Sequence, residues 1–272
     1  EKGNGMKAIY VVIALIVIFA AAFAAVYGAL RLIPFSLWIG ASGRAFTASE
    51  FVAPLFGIML GPYVGSVAAV VGTLLAITFT GRMNFFGLDF LPVLANALVL
   101  GFLIRGRCRV SFVLYSLLLG LFFVHPMTLH VMSVPFWDGR VDVPFVWLHM
   151  IAWMLLASPL GRRSVEWIYE PTAWKARCAA CILTVTGTTA QHLTGSILFA
   201  TLAVPLMGIM PEALGATWNA VFYVYPVERL IAIVVATIVV AVTTRGLIAG
   251  GLIHTPVRTA PATSLDRLRT RC

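Results

Sequence analysis

Apolar residues run through this chain in long blocks separated by short polar breaks. The first block, residues 8–30, is long enough for the roughly 20 helical residues that cross about 30 Å of hydrocarbon. Residues 31–48 interrupt it with Arg31, Pro34, Trp38, Gly40, Gly43 and Arg44, and are expected to form an outer loop with Trp38 at the interface. Residues 49–80 are long enough for two passes. Gly61-Pro62 divides them, because Pro removes a backbone donor and restricts the residue before it. The abbreviated first half reads either as one arm of a tight helical hairpin or as an interrupted segment lining a substrate cavity. Beyond an outer loop at 81–88, the pattern predicts helices at 89–104, 110–125, 145–160, 178–206 and 226–244. A Pro-rich outer stretch from His125 to Pro144 and an amphipathic inner segment from Arg162 to Arg177 lie between them. Glu212, Trp218 and Asn219 fall in a further outer loop. The expected architecture is an all-α polytopic transmembrane bundle of about eight membrane helices. Residues 1–250 make its single domain, and 251–272 a loosely ordered basic tail.

Composition supports a bilayer as the solvent, since 61% of the residues are hydrophobic and only 11% are charged. The formal charge of +9 raises the possibility of nucleic acid, and the placement of the basic residues argues against it. Lys2 and Lys7 precede the first block, and Arg105, Arg107 and Arg109 fill one short loop. Arg162, Arg163, Lys175 and Arg177 fill another, and Arg245, Arg258, Arg267, Arg269 and Arg271 follow the last helix. These are fourteen of the nineteen Lys and Arg residues, each cluster an even number of crossings from the next. Positive-inside topology accounts for that order, with both termini cytoplasmic in the plasma membrane of a prokaryote. Met6 reads as a natural start, which leaves Glu1 to Gly5 as extraneous. Cys178 and Cys181 have CxxC spacing but begin an apolar helix without a second ligand pair, and read as ordinary small apolar residues.

Polar side chains at membrane depth are functional candidates, because unpaired they cost several kcal/mol. Glu50, Asp89 and the Glu228-Arg229 pair open helices on the outer side, where the helix dipole also favours a carboxylate. Asn96, Gln191 and His192 lie deeper, beyond the reach of dipole capping, and suit either interhelical hydrogen bonds or substrate contact. No compact metal-ligand spacing, phosphate loop or catalytic signature occurs, so neither metal nor cofactor nor enzymatic activity is expected.

The run Ala48-Ser49-Glu50-Phe51 through Pro54-Leu55-Phe56-Gly57-Ile58-Met59-Leu60-Gly61-Pro62-Tyr63-Val64-Gly65 resembles the second-to-third helix region of substrate-binding S components of energy-coupling factor transporters. It matches the pattern P-L-x-G-x-x-x-G-P-x-x-G at each position. Ala20, Ala21, Ala24, Ala25 and Ala29, with Gly57, Gly61 and Gly65, are similar to the small-residue face by which such subunits dock on a shared transmembrane coupling subunit. The usual six helices would here be joined by an extra pair at 110–160. The resemblance implies capture of a vitamin-like small molecule, with uptake energised by separate ATPase subunits. The implied contacts are Trp38, Arg44, Glu50, Asp89, Asn96, Gln191, His192, Trp218, Asn219, Glu228 and Arg229. Two alternatives stand beside it. One is an accessory membrane subunit with no ligand-sized cavity, the other a membrane-embedded enzyme using His192.

Overall fold

A computed structural model describes residues 2–37 and 45–252. Trp38, Arg44 and the tail beyond Leu252 lie outside the described residues. The chain is helical throughout its core. Helix α1 (Lys2–Leu30) leads into a small antiparallel hairpin of β1 (Pro34–Leu37) and β2 (Ala45–Thr47). A 3-10 turn at Ala48–Phe51, the single turn α2 (Ala53–Leu55) and a π-helical stretch at Phe56–Leu60 then run into α3 (Gly61–Thr80). Next come α4 (Phe90–Ile104) and α5 (Cys108–Val124), and a second hairpin of β3 (Val131–Phe136) and β4 (Gly139–Pro144). The chain continues through α6 (Trp147–Ala157), α7 (Pro159–Trp167), α8 (Ala173–Leu202) and α9 (Pro211–Ala249).

Gly61 is where the chain doubles back. Its φ of 77° lies in the left-handed region that glycine tolerates, and Pro62 supplies the first turn of α3. The reversal lays Gly65 against the carbonyl of Phe56, and α4 crosses both arms. A Cβ on Gly57 would sit 2.8 Å from the Ala97 carbonyl oxygen, and one on Gly101 would strike the backbone of Pro62. Gly57, Gly61 and Gly65 are therefore buried within the chain, where they close its own crossings and present nothing to a docking partner. The same holds for Ala24, 3% exposed against Gly72 of α3, whereas Ala21, Ala25 and Ala29 remain exposed and Ala20 is half-buried.

Among the described residues, three segments are long and apolar enough to cross a membrane: Ile13–Leu30, Ala53–Thr80 and Pro211–Ala249. The reversal at Gly61 divides the second, and the 20 residues of α3 alone still span about 30 Å. The expected count of eight such helices is not reached among the described residues. α4, α5 and α6 hold 15, 17 and 11 residues, or about 22, 25 and 16 Å of helix, and α6 stops at Ser158-Pro159. α8 is long but not apolar, with seven Thr and Ser plus Gln191 and His192 along it. It can be polar because it is the central post, packed by α4, α5, α6, α7 and α9.

The outer surface is unlike that of a water-soluble domain. On α9 the buried stripe includes Arg229 and Thr244, while Val227, Ile231, Val234, Ile238 and Val242 face outward. On α5, Val113, Leu117 and Leu121 are exposed at four-residue spacing, and Val67, Val71, Leu74 and Leu75 are exposed on α3. Exposed apolar stripes of this extent are surfaces for lipid or another protein.

The basic clusters meet at one end. The Arg105 guanidinium covers Gly61, Arg245 donates to the Pro171 carbonyl at 2.9 Å, and Lys175 pairs with Glu170 at 3.9 Å. Burial raises the pKa of the Tyr169 phenol, and the neighbouring Arg105 charge opposes that rise. The turn after α4, the turn after α7, the start of α8 and the end of α9, far apart in sequence, thus bring basic residues to one end.

Candidate functional site

The opposite end carries an open cavity. It encloses about 950 Å³, mouth included, between the end of α1, the 48–51 turn, the 82–89 loop and the facing stretches of α8 and α9. Residues 16 positions along α8 and α9 from Lys175 and Arg245 line it, so the site stands about 24 Å from the basic end.

Two ion pairs frame the cavity. Asp89 accepts from Arg31 Nη2 at 3.1 Å and from the backbone amides of Asn84 and Phe85 at 2.8 and 3.0 Å. Its carboxylate turns away from the amides of α4, so the dipole-capping role open to it in the sequence is replaced by holding the 82–88 loop to α1. Asp89→Asn would put a donor where an amide needs an acceptor. We expect it to cost about 1–3 kcal/mol, read as a lowered midpoint of thermal unfolding in detergent.

Glu50 is the hub of the second pair. Its Oε2 accepts from Arg229 Nη1 at 2.7 Å, and its Oε1 from Gln191 Nε2 at 2.9 Å. Gln191 Oε1 in turn accepts from Asn96 Nδ2 at 2.8 Å. The ionised carboxylate is an acceptor only, which fixes both amide orientations along the relay from Asn96 to Glu50. Arg229 does not open a helix. α9 begins at Pro211, and Arg229 lies fully buried in mid-helix with the Phe46 ring 4.6 Å from its guanidinium carbon.

Beside this relay sits an aromatic stack absent from the sequence reading. His192 is not alone: its Nδ1 lies 3.0 Å from Nε2 of His149, and the two rings stack at 5.2 Å. Tyr225 stacks on His192 at 5.1 Å and donates to the Phe145 carbonyl at 2.6 Å. Tyr115 donates to Thr189 and to the His149 carbonyl, completing the contact between α5, α6 and α8. The available signal was His149 itself, a polar side chain within the apolar block 145–160.

Of the expected contacts, Glu50, Asp89, Gln191, His192, Trp218, Glu228 and Arg229 line the cavity together. Asn96 stands behind it, fully buried, and reaches it only through Gln191. Asn219 is exposed and does not line it; it is on α9, one residue past the buried Trp218, whose Nε1 donates to the Met127 carbonyl. The residues that sequence reasoning missed are mainly Tyr27, Arg31, Phe46, Asn84, Ser196 and Tyr225. Among the described residues no group of three or more His, Cys, Asp or Glu side chains converges as metal ligands, and Cys178 and Cys181 are free thiols. No protein family, curated protein or solved structure matches this chain.

Proposed function

We propose that this chain is a multi-pass integral membrane protein that captures a small molecule in the cavity between α1, α8 and α9. The observation that carries this reading is the combination of apolar outer stripes with a cavity framed by two ion pairs at the end remote from the basic clusters. An outward face of Val and Leu is stable against lipid, and the arginine-rich end belongs on the cytoplasmic side. The cavity then opens to the outside. Its lining joins aromatic side chains to a few fixed polar groups, as small-molecule sites do. The resemblance at Pro54–Gly65 supports the further step that the chain serves as the substrate-binding subunit of a micronutrient uptake transporter. Separate coupling and ATPase subunits would energise it, and the exposed Ala21, Ala25 and Ala29 face of α1 is then the docking surface. An accessory subunit without a ligand has no need of such a cavity.

Gly195 gives a direct test. It lines the cavity, and a Cβ there would meet only the Phe85 ring at 3.7 Å, so Gly195→Leu starts a bulky side chain at the cavity wall without striking backbone. The wild-type chain, purified in mild detergent, is expected to carry a small molecule visible by mass spectrometry. Gly195→Leu should lose it while keeping its unfolding midpoint. A wild-type chain that carries none, or a variant that keeps its ligand, would count against the proposal.

A further inference from the structure

Arg229 carries more hydrogen-bonding capacity than its surroundings use. Glu50 takes Nη1 alone, and Nε and Nη2 have no partner. These two nitrogens lie on one edge of the planar guanidinium, the parallel fork that matches the two oxygens of a carboxylate. Both are shut off from bulk solvent on a residue of 0% exposure. A buried cation with half its donors unmet is costly unless something arrives to meet them.

Resting on the binding role proposed above, we infer that the Nε–Nη2 edge of Arg229 is the anchor for the carboxylate of a ligand with an apolar or aromatic body. Arg31 pairs with Asp89, and Arg229 pairs with Glu50 through Nη1 alone, so the Nε–Nη2 edge is the part of the Arg229 guanidinium left for a ligand. A single carboxylate meets the free fork and keeps the Glu50 contact on Nη1 intact. Both nitrogens are closed off in this conformation, so side chains around the guanidinium, the half-buried Phe46 over its face among them, must shift for the ligand to enter. Trp218 and Tyr225 line the same cavity and offer rings to the ligand's body.

Three probes with one body separate the possibilities: 2-naphthoate, 2-naphthamide and 2-naphthylmethylamine, measured by equilibrium dialysis against the detergent-purified full chain. The acid is expected to bind at least about tenfold tighter than the amide, the difference a charge-assisted forked contact confers. Arg229→Lys retains a cation for Glu50 but has no fork, and should bring acid and amide to similar affinity. If the amide or amine binds as tightly as the acid, or if Arg229→Lys keeps the preference, the anchor is wrong while the cavity remains a binding site. If none of the three binds, the binding role falls with it.

Discussion

Arg229→Ala is expected to destabilise the protein by about 3–5 kcal/mol, the cost of leaving one partner of a buried ion pair unmatched. The effect is large because Glu50 has few other resources. Its second oxygen is taken by Gln191, and its side chain is only 14% exposed. Without the guanidinium, the carboxylate must either take up a proton or draw water into the junction of the 48–51 turn with α8 and α9. Because the relay continues to Asn96, the disturbance reaches α4 as well. The double substitution Glu50→Gln with Arg229→Gln removes both charges and should recover more than half of the loss. Unfolding midpoints of the two variants in the same detergent check this, and a double variant no more stable than Arg229→Ala would show that the pairing is not the cause.

Gly101→Val is expected to act more severely on folding. A Cβ at residue 101 would strike the backbone nitrogen and Cα of Pro62, and backbone at a chain reversal cannot move aside as a flexible side chain does. Overpacking typically costs about 1–3 kcal/mol where neighbours adjust, and here the neighbour is the Gly61-Pro62 turn itself. α4 would be pushed off the hairpin, taking with it the contact at Gly57 against Ala97. We expect most of the expressed Gly101→Val protein to aggregate on detergent extraction. Gly215→Ala, where a Cβ meets open space, should behave as wild type in the same gel-filtration assay.

The positions of the long apolar helices were legible in the sequence because residue spacing and length suffice to define them. So was the chain reversal, since Gly61-Pro62 combines a residue that tolerates positive φ with one that starts a helix. The length of α9 was not. Pro226 and the polar Trp218-Asn219 pair suggested a loop ending near residue 225, yet Leu214, Trp218, Phe222 and Tyr225 are buried at helical spacing and the helix continues through the proline. Packing of those four side chains outweighs the one hydrogen bond that Pro226 cannot make.

Much of the site was legible for a simpler reason: strongly polar residues inside apolar blocks stand out, and Glu50, Gln191, His192 and Arg229 did so. Which of them pair was hidden, because Glu50 and Arg229 are separated by 179 positions. Arg31 escaped notice as a loop cation, and His149 as a residue flanking the Pro-rich stretch. Their partners Asp89 and His192 come from the residue before α4 and from α8, contacts that no local pattern encodes.

The whole account depends on the cavity and the arginine-rich end lying on opposite sides of a membrane. Labelling of intact cells with a membrane-impermeant maleimide reads this directly. Trp137 is 92% exposed at the tip of the β3–β4 hairpin, and Arg107 is exposed in the turn between α4 and α5. Trp137→Cys is expected to label in intact cells, and Arg107→Cys only once the membrane is permeabilised. Labelling of Arg107→Cys in intact cells, or of Trp137→Cys only after permeabilisation, would contradict it.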